Sequence, residues 1–293
     1  MLSLEHVSKT YRTGSFGGAV LHAVRDVSFD VRPGEVMSLI GESGSGKSTI
    51  GRMILRLVAP TAGTITYQGD DVAAMKRHEL KEYYRRVQGV FQDPFSAYNP
   101  IFKIDRVFGM LRTEFFPGTS REAWSAKLAD ALESVSLNPR DVLGKFPHQL
   151  SGGQLQRLQI ARALLLDIEH LVADEIISML DASTRIDVLN LLADLKERGL
   201  GILFITHDLS LGNYISDTTV ILRHGCIVEM GATEKVFGDA RHPYTQSLLA
   251  SVPQLHSKWA KAEPMPATNG HLDDDAAVPA LVSVGDDHLV AAH

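Results

Sequence analysis

The chain contains a single cysteine, Cys226, among 293 residues. No disulfide can close within it, and a zinc or iron–sulfur site built from several thiolates is excluded. Long apolar runs are missing too: no stretch reaches the ~18–20 residues that cross a bilayer. The opening MLSLEHVSKTYRTG lacks the basic-then-apolar layout of a signal peptide. Positive charge is not in excess: 29 Lys+Arg stand against 35 Asp+Glu, a net charge of −6. That balance argues against a general nucleic-acid binder. With 44% hydrophobic and 22% charged residues, the composition excludes wholesale disorder and suits one large domain or two modest ones. These absences lead us to expect an intracellular soluble protein, or one held to a membrane by a partner.

Short strand-like runs alternate with helical patterns. DVSFDV (26–31) alternates and Pro33-Gly34 turns the chain. EVMSLI (35–40) reads as a buried strand, followed by a glycine-rich loop. From Lys47, Ile50, Met53, Ile54, Leu57 and Val58 mark one helix face up to Pro60. TITYQ (64–68) and VQGVFQ (87–92) read as strands. The region of about 95–160 reads as a helical insertion, with a helix near 121–136 carrying Trp124, Leu128, Ala131, Leu132 and Val135 on one side. A second helix is expected from about Gly152 to Leu165. HLVAD (170–174) and GILFIT (201–206) are buried strands around a helix over 183–198, capped by Ser183 or Thr184. A hairpin is expected around Gly225. Beyond about Pro253 the chain turns to Ala, Asp and Pro, and 257–293 reads as a largely disordered acidic tail. Alternating strands and helices predict an α/β fold with a mostly parallel sheet covered on both faces.

Gly41-Glu-Ser43-Gly44-Ser-Gly46-Lys47-Ser48-Thr49 matches G-x-x-x-x-G-K-[ST], between a buried strand and a helix. Glycines let successive backbone N–H groups turn toward one anion, and the helix N-terminus adds partial positive charge. Lys47 is placed for β- and γ-phosphates and the Ser48 hydroxyl for Mg²⁺. A turn that binds nothing is the competing reading, and the strand–loop–helix context disfavours it. The apolar strand ending in Asp174 and then Glu175 offers one carboxylate for a metal and the next for an attacking water. Elsewhere such a pair more often starts a solvated loop; its place downstream of the phosphate loop favours chemistry.

Further segments carry a family resemblance. Leu150-Ser151-Gly152-Gly153-Gln154-Leu-Gln-Arg resembles the LSGGQ signature of ABC ATPases. Gln92 in VFQDP resembles that family's Q-loop, His207 in FITHDLS its switch histidine, and Asp181 in SMLDAS its D-loop. Tyr11 in VSKTYRTG is similar to the aromatic that stacks on adenine. The motifs occur in the family's order over about residues 1–235. The resemblance implies a RecA-like P-loop core with an antiparallel β subdomain and a helical insertion. It also implies ATP with Mg²⁺ at Ser48, Gln92 and Asp174. Two ATPs would be sandwiched between two such proteins, Ser151 and Gly153 touching the partner's γ-phosphate. In its own site Glu175 would activate water and His207 would hold the γ-phosphate and Glu175 in register, while Gln92 would sense Mg²⁺ and water and relay the state to the helical insertion.

A finer resemblance is to the oligopeptide/dipeptide/nickel importer branch, on Val90-Phe-Gln-Asp-Pro-Phe-Ser-Ala-Tyr-Asn-Pro100, SMLDAS, and His242-Pro-Tyr-Thr245. The ATPase domain would then be 1–241 and an importer-type extension 242–256. Many members carry an iron–sulfur cluster after it; none is expected here. The implied partners are two membrane-spanning permease subunits, a second ABC ATPase in a heterodimer rather than a homodimer, and an extracytoplasmic solute-binding protein. No nucleic acid is expected, and the implied place is the cytoplasmic face of the cell membrane. Import of oligosaccharide or nickel, or a soluble ABC ATPase without transport, are the alternatives. One departure stands out: the family usually has Pro after the catalytic Glu, and here Ile176 follows. Ile restores an N–H donor and loosens the turn; the carboxylate is retained, so ATP hydrolysis is expected, with a slower rate as the effect of the looser turn.

Overall fold

The computed structural model describes residues 1–12, 20–251, 278–285 and 287–292. Its strands are β1 (Leu2–Arg12), β2 (Val20–Val31), β3 (Val36–Ile40), β4 (Ala62–Tyr67), β5 (Asp70–Asp71), β6 (Val87–Val90), β7 (His170–Asp174), β8 (Gly201–Thr206), β9 (Thr218–Arg223), β10 (Cys226–Ala232), β11 (Leu281–Gly285) and β12 (His288–Ala291). Two compact units emerge, Met1–Met75 with Leu203–His293, and Lys76–Ile202.

In the first unit, β2-β1-β4-β5 form an antiparallel sheet, with Leu2 opposite both Val31 and Tyr67. A second sheet runs β11-β12-β10-β9-β3-β8. Every residue of β3 is buried, as expected of a parallel strand covered on both faces. It lies parallel to β9, with Met37 opposite Thr218 and Ile40 opposite Ile221. Ser38 would be a buried orphan in such a strand. Its hydroxyl instead meets Thr219 Oγ1 at 2.8 Å, which meets Thr233 Oγ1 at 2.9 Å. Ile40, Leu209, Ile221, Val228, Val236, Tyr244 and Ala291 form one apolar cluster. Cys226 is buried here, and burial pushes its thiol pKa up.

In the second unit β6 and β7 pair in parallel, Val87 opposite His170 and Val90 opposite Ala173. The helices Asp105–Phe115 and Arg121–Ser134 fall within 95–160. The unit is wider than that insertion, because it also takes in β6, β7 and the helix Ala182–Glu197. Trp124, Leu128, Ala131, Leu132 and Val135 are all buried, as their spacing predicts. Ser120 starts their helix by accepting the Ala123 N–H at 3.1 Å. Among the described residues no helix is long and apolar enough to cross a membrane.

Three expectations need correction. The helix from Lys47 stops at Ile54 rather than near Pro60. Arg56 turns left-handed there (φ 53°), and its guanidinium donates to the Met75 and Ala73 carbonyls. The cap of Ala182–Glu197 is Asp181, not Ser183 or Thr184, because its carboxylate accepts the Thr184 N–H at 3.0 Å. The stretch expected to be a largely disordered tail contains regular structure. Its last part forms the β11–β12 hairpin, and β12 pairs with β10, Val290 opposite Glu229. Residues 252–277, which hold the rest of the tail and the end of the extension, lie outside the described residues.

The hairpin is held by a buried carboxylate. Glu229 has no exposed surface. Its Oε1 lies 2.8 Å from His288 Nε2 and accepts the Arg241 N–H at 2.8 Å, while Oε2 accepts the His242 N–H at 3.0 Å. Glu229→Ala would leave the buried His242 and His288 donors, and the part-buried Arg241 N–H, without their acceptor. A loss of about 3 kcal/mol is expected, read as a lower denaturation midpoint with an unchanged slope.

Candidate nucleotide site

The phosphate loop joins β3 to the helix Lys47–Ile54. Gly46 caps that helix at φ 105°, and a Cβ there would stand 2.2 Å from the Ala23 carbonyl oxygen. Only glycine fits both the angle and the space. At Gly41 a Cβ would meet the Leu222 carbonyl oxygen at 2.2 Å. Having no side chain, Gly46 makes no side-chain cap on the first helical turn. A helix start of this kind suits an anion. Lys47 is buried, and its ammonium donates to the Gly41 and Glu42 carbonyls at 2.7 and 2.8 Å. Gly41, Gly44, Gly46, Lys47, Ser48 and Thr49 are thus brought together in one turn, with Ser43 exposed beside them.

Two further candidates lie in the same unit. Tyr11 is in β1, half-buried, with the Lys9 ammonium 5.1 Å from its ring centroid. His207 is exposed at the tip of β8. Its neighbour Asp208 donates its N–H to Thr206 Oγ1 and caps the helix Leu209–Ile215 by accepting the Ser210 and Leu211 N–H groups. These three contacts fix the backbone on which His207 rides.

The second unit holds the remaining candidates. Asp174 ends β7 with its side chain buried, and Glu175 follows half-buried with φ 50°. A glutamate in the left-handed region is strained. The turn after it is closed by the Ser178 N–H and hydroxyl, both donating to the Glu175 carbonyl. Ile176 is buried, so the side chain in the usual proline position packs into the unit. Gln92 is exposed just beyond β6. That edge is fixed by two side chains of the helix Gly152–Leu164. Arg162 donates to the Gly89 carbonyl at 2.9 Å, and Gln159 Oε1 accepts the Phe91 N–H at 3.3 Å. Burial pushes the Arg162 pKa down and the Tyr98 pKa up. The sequence offered no sign of Arg162 and Gln159 as supports for Gln92.

Ser151 starts that helix through a reciprocal cap. Its Oγ accepts the Gln154 N–H at 3.2 Å, and Gln154 Oε1 accepts the Ser151 N–H at 2.9 Å. The hydroxyl oxygen accepts here, so its proton stays available for a second acceptor. A Cβ at Gly153 would come 2.9 Å from Thr184 Cγ2. Gly152 has open space instead. Asp181 accepts from the Ser183 hydroxyl (2.6 Å), the Thr184 N–H (3.0 Å) and the Thr184 hydroxyl (2.9 Å). These donors, Ser183 foremost, hold its carboxyl well below the usual carboxylate range.

Gly46→Ala should abolish binding of a fluorescent nucleotide, since a Cβ 2.2 Å from a carbonyl oxygen forces the loop open. Asp181→Ala should lower the melting temperature at neutral pH. The depressed folded pKa gives wild type stability that is fully present above the unfolded value, about 4. It is lost as pH falls through the lower folded value. The gap between the two proteins should therefore hold constant above about pH 5 and narrow below it.

Residues 24–178 match the family model described as ABC transporter, and residues 228–275 that described as Oligopeptide/dipeptide transporter, C-terminal region. A peptide import ATP-binding protein of Brucella ovis is 44% identical over 255 residues, covering 86% of this chain and 78% of that protein. The oligopeptide transport ATP-binding protein OppF of Bacillus subtilis is 40% identical over 256 residues, covering 86% and 82%. A dimeric ATP-binding cassette in a post-hydrolysis state, bound to ADP and Pi, matches with a TM-score of 0.71 at 29% identity, covering 80% of this chain and 99% of that one. With a phosphate loop built on glycines that admit no side chain and a sequence matched across core and extension, this chain belongs to the ABC transporter family as an ATP-hydrolysing, ATP-binding subunit with the P-loop α/β fold.

Proposed function

We propose that the chain powers uptake of oligopeptides or dipeptides, as the ATPase of an importer whose transport path belongs to other subunits. One observation carries this reading. Residues 228–275 resemble the C-terminal region of oligopeptide/dipeptide transporters, and within them Glu229 of β10 accepts the His242 N–H. Relatives named for peptide import support the same solute class.

In this reading Gly41, Ser43, Gly44, Gly46, Lys47 and Thr49 cradle the phosphates and Tyr11 stacks on adenine. Ser48, Asp174 and Gln92 supply hard oxygen donors, the set that Mg²⁺ prefers. Mg²⁺, when bound, neutralises charge on the β- and γ-phosphates. Glu175 takes the proton of the attacking water, and His207 keeps the γ-phosphate and Glu175 in register. Ser151, Gly152, Gly153, Gln154 and Asp181 act across a dimer. The exposed Ser151 hydroxyl keeps its O–H to donate as a hydrogen bond to the partner's γ-phosphate. The second ATPase is a different chain in our reading. Gln92 passes the state of the site to the insertion. There Phe95, Ile101, Phe102 and Met110 are exposed, Ile101 at 75% and Met110 at 63%. Apolar side chains of that kind suit contact with permease subunits at the cytoplasmic membrane face. A solute-binding protein outside would select the peptide.

Glu175→Gln should cut ATP hydrolysis at least about 100-fold, the scale of a lost general base, and leave ATP affinity near wild type. The same variant, purified in mild detergent from its native membrane, should bring along two multi-span proteins and a second ABC ATPase. Uptake of labelled peptide should stop in cells that carry it. Uptake loss for nickel or an oligosaccharide instead would reassign the solute. Recovery of only ribosomal or DNA-repair proteins would overturn transport.

A further inference from the structure

The extension reaches the phosphate loop itself. Tyr244 belongs to the helix Pro243–Ala250 and is 4% exposed. Its hydroxyl oxygen accepts the Glu42 N–H at 3.4 Å, a long hydrogen bond. That N–H belongs to the Gly41–Glu42 peptide, whose carbonyl accepts from Lys47 Nζ at 2.7 Å. One peptide plane is therefore pinned on its two edges, by the loop's lysine and by the tyrosine. The ring is itself fixed. The Arg223 guanidinium lies 4.7 Å from its centroid. The Tyr244 N–H donates to His242 Nδ1 at 3.1 Å, and the His242 N–H donates to Glu229. Gly41 is also pressed against the Leu222 carbonyl, next to Arg223.

We propose that Tyr244 is a positioning residue of the nucleotide site, holding the Gly41–Glu42 peptide in its phosphate-binding orientation through its hydroxyl. The inference rests on the ATP-binding reading of the phosphate loop. Lys47 cannot serve two carbonyls and a triphosphate with the same hydrogen bonds. When it turns to phosphate, the Gly41 carbonyl loses its donor, and the tyrosine on the other edge is what keeps the peptide from rotating. Pre-ordering of this kind lowers the entropic cost of binding. The extension after the core is then part of the ATP site and not only an appendage to it.

Tyr244→Phe removes one oxygen and keeps the ring in its apolar cluster. The full chain should show a Kd and KM for ATP raised about threefold to tenfold, the range of one neutral hydrogen bond. Its kcat at saturating ATP should stay at the wild-type value. A purely structural tyrosine would lower the melting temperature and leave Kd unmoved. Wild-type Kd and KM in Tyr244→Phe would overturn the proposal. Lys47→Ala, measured alongside, separates the two readings. If it loses ATP while Tyr244→Phe does not, only the role of Tyr244 fails. If Lys47→Ala itself binds ATP like wild type, the phosphate-loop reading fails and the inference with it.

Discussion

Three backbone segments meet at the phosphate loop with no side chain between them. The Gly225 N–H donates to the Ser45 carbonyl at 3.0 Å, and the Arg25 N–H donates to the Gly225 carbonyl at 2.8 Å. Ala23, two residues before Arg25, closes over Gly46 and Gly225. The loop, the β9–β10 turn and β2 are thereby joined through peptide groups alone. Such a junction tolerates no Cβ at its centre, and it fixes where β3 delivers the chain. The small antiparallel sheet, the larger sheet and the phosphate loop share this one point, so the loop's shape is set by the unit and not by the loop residues alone.

Side-chain caps place several of the candidate residues. Ser151, Asp181 and Asp208 each start a helix by accepting backbone N–H groups. A capping side chain orients the first helical turn, and residues beside it inherit that orientation. Ser151 and Asp181 carry the cap and the proposed chemistry on one side chain. His207 borrows its placement from Asp208. The candidate loops are held here by helix caps, by the half-buried Arg162 and by the buried Gln159.

What could be read from the sequence follows from burial. HLVAD and GILFIT match β7 and β8 to the residue because strands covered on both faces become contiguous apolar runs. The helix Arg121–Ser134 was legible from its apolar stripe. The helix Arg77–Arg86 was not, since only Tyr83 of it is buried. It is fixed at its start by Glu79, which accepts the Lys76 N–H at 2.7 Å. The C-terminal hairpin was misread because its composition resembles a solvated tail. Its anchor, the pairing of His288 with Glu229, spans 59 positions. At the site, motifs named the phosphate loop and the acidic strand end. The His242–Thr245 motif marked Tyr244 only as part of the extension and gave no sign of its contact with Glu42, 202 positions away. Local spacing carries local geometry, and contacts of that separation leave no periodic trace.

The lone thiol of Cys226 is buried beneath its neighbours, and burial raises its pKa. It is therefore protonated at neutral pH and slow toward electrophiles. A cysteine placed at an exposed position such as Met179, 61% accessible, would take a maleimide or spin label almost alone, with the native residue left in place. Each copy would then carry one probe at one known site. The approach of the partner ATPase could be followed as a change in distance to a second probe placed on that partner, on a protein that needed no cysteine removed beforehand.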